Sequence, residues 1–175
     1  MSTVVSAIRG GVIHMCGDTA CTKEHGTQNP AHKVFKGDGY LVAAVGDKKY
    51  YAAMVYEYKH PADNRFSSED YILQVRDALR FVLTDFEGNY AVHLGFFYQG
   101  EPCLIEYTGD VGDIEEITDM RWLCQGNGAE VATGVMAVLW DTDMDTRTLL
   151  EKAIEVASRY DAYTALPSEH LCLTD

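Results

Sequence analysis

The chain has 175 residues, 47% of them hydrophobic, and a formal net charge of −13 from 14 Lys and Arg against 27 Asp and Glu. This length predicts a single domain over residues 1–175, and the acidity argues against nucleic acid or an anionic membrane as a partner. No apolar run approaches the roughly 20 residues of a membrane span, and the N-terminus lacks the pattern of a signal peptide. We therefore expect a cytoplasmic protein.

The chain is predicted to begin with a β-hairpin. Two β-prone runs, over residues 3–8 and 12–16, flank Gly10-Gly11, a pair typical of a two-residue hairpin turn. Pairing residues outward from this turn places Thr3 opposite Asp18. The register therefore predicts a carboxylate beside the N-terminus.

A second hairpin is predicted from two further runs, over residues 33–36 and 40–45. They flank Asp38-Gly39, which is among the strongest short-range turn signals. The same outward pairing places Lys33 opposite Ala44 and therefore near Gly46. Nothing in the pattern itself shows that the two hairpins are neighbours.

The middle of the chain changes to a helical period. Residues 48–58 predict a short helix, and a second helix is predicted to start at Ser67, whose hydroxyl can cap it, with Asp70 three residues later. Apolar residues then recur at helical spacing: Ile72, Val75, Ala78, Leu79, Val82 and Leu83.

The remaining predicted elements alternate between strands and helices. They are strands over residues 91–98 and 103–107 linked by 99–102, a strand over 122–125, helices over 130–139 and 146–160, and an edge strand over 170–173. Each helix has one apolar stripe to bury. This order predicts a core of two packed sheets with helices outside.

Cysteines and tyrosines do not by themselves predict a site. The five cysteines lack the paired spacing of a zinc site, so they are expected to be free, mostly buried thiols: Cys16, Cys21, Cys103, Cys124 and Cys172. A group of tyrosines is predicted to be packing rather than a binding platform: Tyr50, Tyr51, Tyr56 and Tyr58.

Several segments, in order and near family spacing, resemble those of the N-terminal-nucleophile hydrolases of the proteasome β-subunit and HslV type. These segments are Ser2-Thr3-Val4-Val5, Gly17-Asp18-Thr19-Ala20-Cys21-Thr22, His32-Lys33-Val34, Ala43-Ala44-Val45-Gly46, Cys124-Gln125-Gly126-Asn127-Gly128 and Tyr160-Asp161-Ala162-Tyr163-Thr164. The likeness is strong over residues 2–46 and 122–165 and weak between them. It implies an α+β fold, a four-layer αββα sandwich of two antiparallel sheets packed face to face with helices on both outer sides.

The resemblance also implies a catalytic apparatus. Removal of Met1 would expose Ser2 as the nucleophile, with its own α-amino group as the base. Lys33, held charged by Asp18, would lower the pKa of the amine and the hydroxyl, and the Gly46 N–H would stabilise the oxyanion. Two further residues would orient the N-terminal residue, and a third stands where the family has a serine: Asp161, Thr164 and Asn127, respectively.

The resemblance points to a pocket for the residue before the cut bond, lined by Cys21, Ala31, Phe35, Ala44 and Lys48. It implies no metal and no cofactor. Two departures from the family pattern stand out besides Asn127: serine replaces threonine at the nucleophile position, and Ala165 stands where glycine is frequent.

Three functions remain open. The leading one is a peptidase acting on peptides or unfolded proteins, assembled as a homo-oligomeric ring, with an ATP-dependent unfoldase as a further candidate partner. The second is a catalytically inactive proteasome-like ring or scaffold subunit, because Met1 is present in the sequence and Asn127 and Ala165 depart from the family pattern. The third is a small-molecule amidase of the same fold.

Overall fold

The computed structural model describes residues 2–19, 31–61, 67–83, 90–108, 114–116 and 121–175. In chain order the elements are β1 (Thr3–Arg9), β2 (Val12–Asp18), β3 (Val34–Lys36), β4 (Tyr40–Val45), α1 (Lys48–Tyr56), α2 (Ser68–Leu83), β5 (Ala91–Tyr98), β6 (Glu101–Thr108), β7 (Ile114–Glu116), β8 (Trp122–Gly126), α3 (Ala129–Leu139), α4 (Thr146–Tyr160) and β9 (Ser168–Leu173).

The strands form two antiparallel sheets. One has the order β8-β1-β2-β9 and the other the order β3-β4-β5-β6-β7. Because side chains alternate along a strand, each sheet buries one face against the other sheet and one against helices. In β4, Leu41 and Ala43 pack between the sheets, whereas Tyr40 and Val42 pack towards α1 and α2. Helices α3 and α4 cover the outer face of the four-stranded sheet, so the predicted αββα sandwich is confirmed.

The predicted register of both hairpins is also confirmed. In the first, Ala7 lies opposite His14, and the turn glycines both have positive φ. In the second, Phe35 lies opposite Val42, and the Ala44 N–H donates to the Lys33 carbonyl at 2.9 Å. The hairpins belong to different sheets, and the sandwich places them face to face.

The helices are close to their predicted positions. The Ser67 hydroxyl accepts the Asp70 N–H at 3.2 Å and donates to the Asp70 carboxylate at 2.8 Å, which is the predicted cap of α2. Helix α1 ends at Tyr56, two residues before its predicted end at Tyr58. In the described part of the chain, no helix is long and apolar enough to cross a membrane.

Three smaller expectations were wrong. Strand β7 was missed, because three residues carry too little periodicity to be seen. The 99–102 link is shorter than predicted, since Glu101 and Pro102 already pair within β6. The thiols are free but not mostly buried: within the described ranges Cys16 is buried, Cys103 and Cys124 are half-buried and Cys172 is exposed.

A chain of polar side chains crosses the core between the sheets. Ser6 of β1 and His93 of β5 are both fully buried, and the Ser6 Oγ lies 2.8 Å from His93 Nδ1. On its other side, His93 Nε2 lies 3.5 Å from the Glu106 carboxylate of β6. The hydrogen bond between Ser6 and His93 connects the two sheets, whereas His93 Nε2 and the nearby Glu106 Oε1 have no hydrogen-bond partner among the described residues.

Candidate active site

Ser2, immediately before β1, presents a buried hydroxyl. The residue is 1% exposed, and its Oγ has no hydrogen-bond partner among the described residues. Its carbonyl accepts the Asn127 N–H at 3.0 Å. A buried polar group without a partner lowers the stability of the fold by about 1–3 kcal/mol. The position of the Ser2 hydroxyl therefore calls for a specific explanation.

Asp18 ends β2 and is fully buried. One carboxylate oxygen accepts the Thr3 N–H at 2.9 Å, and the other accepts the Ala165 N–H at 3.3 Å. Hydrogen bonds to an ionised carboxylate are stronger than neutral ones. Asp18 therefore holds the strand that follows Ser2 and the segment after α4 in one place.

Lys33 brings the second hairpin to the first. It is 7% exposed and packs on Gly17, the neighbour of Asp18: a Cβ at position 17 would lie 2.7 Å from the Lys33 Cβ. Only glycine leaves room there for the lysine stem. The sandwich thus gathers Ser2, Asp18 and Lys33, which the hairpin patterns alone left unconnected.

Two glycines let the segment before α3 approach the N-terminus. Gly126 has φ +104°, and a Cβ there would lie 1.8 Å from the Ser2 carbonyl oxygen. A Cβ on Gly128 would lie 2.7 Å from the Thr3 Oγ1, to which the Gly128 N–H donates at 2.9 Å. Between them, Asn127 contacts Ser2 through its main-chain N–H, and the residue itself is exposed.

Asp161 and Thr164 lie in the segment that follows α4. The Thr164 hydroxyl donates to the Asp161 Oδ2 at 2.5 Å, and the Thr164 N–H donates to the Asp161 carbonyl at 3.3 Å. The same Thr164 Oγ1 lies 2.6 Å from the Thr3 Oγ1. Among the described residues, this pair reaches the N-terminal segment through the side chain of Thr3.

A cavity of about 380 Å³ adjoins this cluster, and Lys33 lies in its wall. Three other residues predicted at the site also line it: Ala31, Ala44 and Gly46. Sequence reasoning missed Tyr51 and Tyr56, which it assigned to packing. With Ala52 and Val55 they recur at helical spacing on α1, a signal that could have identified them as one face of the helix.

Phe35 does not line the cavity, contrary to expectation. Its ring packs edge-on against the rings of Tyr40 and Tyr51, with centroid distances of 6.0 and 5.6 Å. Tyr51 of α1 forms the cavity wall instead. Cys21 and the side chain of Lys48 lie outside the described part of the structure.

Sequence reasoning also missed the side-chain contacts of Thr3, although the predicted register placed this residue opposite Asp18. Its main chain contacts Asp18, and its side chain contacts both Gly128 and Thr164. The Ala165 N–H was also missed, although the residue was noted as a departure from the family pattern. Neither contact could be found from sequence spacing, because the partners are separated by 125 to 161 residues for the Thr3 side chain and 147 for Ala165.

The sequence matches no protein-family model and no curated protein, but the fold matches solved structures over nearly the whole chain. Thiobacillus denitrificans BPH in complex with epoxomicin has a TM-score of 0.77 at 15% identity, over 98% of each chain. HslV from Trypanosoma brucei has a TM-score of 0.76 at 16% identity, over 99% of each chain. The Anbu (Gly-1) mutant from Hyphomicrobium sp. strain MC1 also has 0.76 at 16%, over 99% of this chain and 82% of that one. The expected HslV-like fold is confirmed.

Proposed function

We propose that this chain is an N-terminal-nucleophile peptidase that cleaves peptide bonds through an acyl-enzyme on Ser2, once Met1 has been removed. The observation that carries the proposal is the Ser2 hydroxyl. It is buried, lacks a hydrogen-bond partner among the described residues, and lies at the point where Asp18 and the Gly126–Gly128 segment converge. A structural serine in such a position would be expected to have a partner.

The base in this proposal is the α-amino group of Ser2. An N-terminal amine has an unperturbed pKa of about 7.7–8.0, so a substantial fraction is neutral near neutral pH. The amine takes the hydroxyl proton as Oγ attacks the carbonyl carbon of the scissile bond. The protonated amine gives this proton to the leaving nitrogen as the tetrahedral intermediate collapses to an ester on Ser2. Water, deprotonated by the same amine, then hydrolyses the ester and restores the Ser2 hydroxyl. An amide nitrogen cannot act as this base, so removal of Met1 is required.

Lys33 and Asp18 act on the nucleophile electrostatically in this proposal. A positive charge beside the amine and the hydroxyl lowers the pKa of each, and the buried Asp18 carboxylate keeps that charge in place. The Gly46 N–H stabilises the oxyanion, a contribution of about 3–4 kcal/mol for a single donor in other enzymes. Asp161, Thr164 and Asn127 fix the N-terminal segment, Asn127 through its main chain.

The cavity beside Lys33 is the proposed pocket for the residue before the cut bond. Small Ala31 and Ala44 leave room, while Tyr51 and Tyr56 supply aromatic surface. Cys21 and Lys48 are proposed as further contributors, and a lysine would favour an acidic side chain. The cavity volume of about 380 Å³ is within the range of small-molecule sites, and it suits one amino-acid side chain.

The proposed form is a homo-oligomeric ring acting on peptides or unfolded proteins, with an ATP-dependent unfoldase as a candidate partner. Support comes from the fold alone. The Anbu complex of Pseudomonas aeruginosa, a helical assembly, has the same fold as this chain, with a TM-score of 0.76 at 14% identity. Sedimentation of the full chain would measure its assembly state directly.

Intact mass spectrometry tests the catalytic proposal. We expect the purified protein to lack Met1 and to gain the mass of a peptide epoxyketone, the compound class of epoxomicin, when the side chain before the warhead is small, apolar or acidic. Ser2→Ala should gain no mass with any of these three epoxyketones, which differ in having a small, an apolar or an acidic side chain before the warhead. Retained Met1, or no adduct with all three compounds, would overturn the proposal in favour of an inactive ring or scaffold subunit.

Turnover then separates the peptidase from an amidase. A peptidase should release product from fluorogenic peptides faster than from simple amides, because the pocket and the strand ends bind the flanking peptide. The small-molecule amidase is supported if only the simple amides are hydrolysed.

A further inference from the structure

The side chain of Thr3 joins the segments around Ser2 through two short hydrogen-bonding contacts, and a third extends them from Thr164 to Asp161. The Gly128 N–H donates to the Thr3 Oγ1 at 2.9 Å, the Thr3 and Thr164 hydroxyl oxygens lie 2.6 Å apart, and the Thr164 hydroxyl donates to Asp161 at 2.5 Å. Both threonines are buried, with exposures of 0% and 3%. The contacts therefore form outside bulk water, where unmade hydrogen bonds are costly.

The number of available protons determines which group is the donor in each of these hydrogen bonds. A threonine hydroxyl has one proton to donate. Thr164 donates its proton to the carboxylate of Asp161, so Thr3 must be the donor between the two hydroxyls. Gly128 N–H can only donate to Thr3. The order is Gly128 N–H to Thr3 hydroxyl, Thr3 hydroxyl to Thr164 hydroxyl, and Thr164 hydroxyl to the Asp161 carboxylate.

The directed chain determines what Thr164 can offer to the site. With its proton committed to Asp161 and one lone pair accepting from Thr3, Thr164 retains only a lone pair. Towards any further polar neighbour it can therefore act only as an acceptor. Without the Thr3 hydroxyl, Thr164 keeps its hydrogen bond to Asp161 but loses its link to the segment that carries Ser2.

Thr3 is also the residue attached to the nucleophile. Consecutive Cα atoms are about 3.8 Å apart, so a rotation or shift at Thr3 passes directly to Ser2. The peptide group that joins Ser2 to Thr3 is hydrogen-bonded at both ends. The Thr3 N–H donates to the Asp18 carboxylate at 2.9 Å, and the Ser2 carbonyl accepts the Asn127 N–H at 3.0 Å. The side-chain contacts of Thr3 supply the remaining constraint on this short segment.

We infer that Thr3 is a positioning residue: its hydroxyl, held by the Gly128 N–H and by the Thr164–Asp161 pair, orients Ser2. The inference rests on the proposed function, since it concerns the same nucleophile. Thr3 does not touch the reacting atoms. Its effect is on the rate at which a bound electrophile is attacked.

Three variants of the full-length, Met1-processed protein test this role. Thr3→Val keeps the branched shape and removes the hydroxyl, whereas Thr3→Ser keeps the hydroxyl and removes the methyl group. Thr19→Val is the matched control. It removes a hydroxyl at the same end of the hairpin that donates to the Pro167 carbonyl at 2.8 Å and takes no part in the hydrogen bonds of Thr3 and Thr164.

The readout is covalent labelling by a peptide epoxyketone, resolved into the maximal rate and the half-saturating concentration at several pH values. We expect Thr3→Val to lower the maximal rate by about 10- to 100-fold, as displacements of about 1 Å do, with the half-saturating concentration unchanged. Its pH profile should shift, because displacing Ser2 changes the distance between its amine and the Lys33 charge. Thr3→Ser and Thr19→Val should keep the wild-type rate within about threefold.

Rates are normalised to the fraction of protein that is folded and finally labelled, so partial unfolding does not count as slow chemistry. A Thr3→Val protein that labels at the wild-type rate with the wild-type pH profile would overturn the inference and leave the proposed function standing. A wild-type protein without label overturns the proposed function, and the inference with it.

A thermal double-mutant comparison gives a readout that does not depend on activity. Thr3→Val, Thr164→Val and the double variant are unfolded by heat. If the directed chain exists, the shifts in midpoint should be non-additive, because either substitution already breaks the link. Additive shifts would contradict the hydrogen-bond order from which the positioning role is argued.

Discussion

The two hydrophobic clusters beneath the helical layers of the sandwich differ in amino-acid composition. The cluster under α3 and α4 contains four alanines among its buried residues: Ala7, Ala132, Ala153 and Ala157. The cluster under α1 and α2 contains seven buried tyrosines and a phenylalanine: Tyr40, Tyr50, Tyr58, Tyr71, Tyr90, Tyr98, Tyr107 and Phe96. Small side chains allow close approach of backbones, whereas tyrosines fill space and bring hydroxyl groups that need partners.

This difference corresponds to two tasks at the site. In the alanine-rich layer, Ala157 of α4 lies 3.0 Å from where a Cβ on Gly128 would be, and the ends of both helices meet Ser2 and Thr3. In the tyrosine-rich layer, α1 supplies Tyr51 and Tyr56 to the cavity wall. One layer holds the main chain of Ser2, the proposed nucleophile, and the other lines the cavity proposed to bind substrate.

The largest expected effect is from Gly126→Ala, which attacks the close approach itself. The new Cβ would lie 1.8 Å from the Ser2 carbonyl oxygen at a residue with φ +104°. Strain at positive φ costs about 1–2 kcal/mol and overpacking about 1–3 kcal/mol, so we expect a loss of about 3 kcal/mol in the free energy of unfolding and no labelling of Ser2. Denaturant unfolding measures the first and intact mass the second.

The matched control is Gly134→Ala within α3, where nothing lies within 4 Å of the new Cβ. Alanine is favoured over glycine in a helix by about 0.5–1 kcal/mol. This variant should be slightly more stable and should label normally. Equal behaviour of the two variants would show that the approach at Gly126 is not what the site depends on.

Acid should weaken the tyrosine-rich layer through His60. Its ring lies 3.0 Å from the Tyr58 hydroxyl and 2.9 Å from the Tyr71 hydroxyl, and burial lowers its pKa to about 4. The unfolded chain, with a histidine pKa of about 6.5, binds the proton more readily. Stability from this group is complete above pH 6.5 and is lost as the pH falls to 4, by about 3 kcal/mol in all.

The loss of stability in acid can be assigned to His60 by measuring the free energy of unfolding of wild type and of His60→Gln over that pH range. His14 in the other layer titrates in the same window, because burial and the neighbouring His170 lower its pKa to about 4. The His60→Gln curve should therefore be shallower by about one proton but not flat. Parallel curves would mean that His60 is not the acid-sensitive group.

The smallest expected effect is from Tyr71→Phe. The hydroxyl lies 2.9 Å from His60 and donates to the Pro61 carbonyl at 2.8 Å, and its removal leaves both half-buried partners unmatched, at a cost of about 1 kcal/mol. Labelling of Ser2 in the folded fraction should be unchanged. Tyr160→Phe, at a residue that is 78% exposed, serves as the near-zero control. A loss of labelling in Tyr71→Phe would mean that the two layers do not have separate tasks.

Local chemistry made the strands and their registers predictable. A two-residue turn at Gly10-Gly11 permits only one pairing, and that pairing leads directly to Asp18 beside Thr3. The capping hydroxyl of Ser67 likewise determined where α2 begins. In each case the partners are near in sequence, so the pattern contained the contact.

Contacts between distant segments could not be predicted in this way. The Thr3–Thr164 contact spans 161 residues, and nothing in either segment specifies the other. Phe35 was placed in the cavity by resemblance, yet the residues that decide its packing belong to the divergent tyrosine-rich layer. The residues named by the resemblance lie close together where the chain follows the family pattern, and Phe35, which packs against the differing helical layer, does not line the cavity.

The hydrogen bond between Ser6 and His93 has a consequence for how the residues of the candidate site are aligned. Ser2 and Asp18 belong to the four-stranded sheet, whereas Lys33 and Gly46 flank strands of the five-stranded one. Apolar faces tolerate small sliding displacements, but the 2.8 Å contact between Ser6 and His93 forms at only one offset. This contact opposes sliding of one sheet over the other, and it thereby helps to hold Ser2 and Lys33 at a constant spacing.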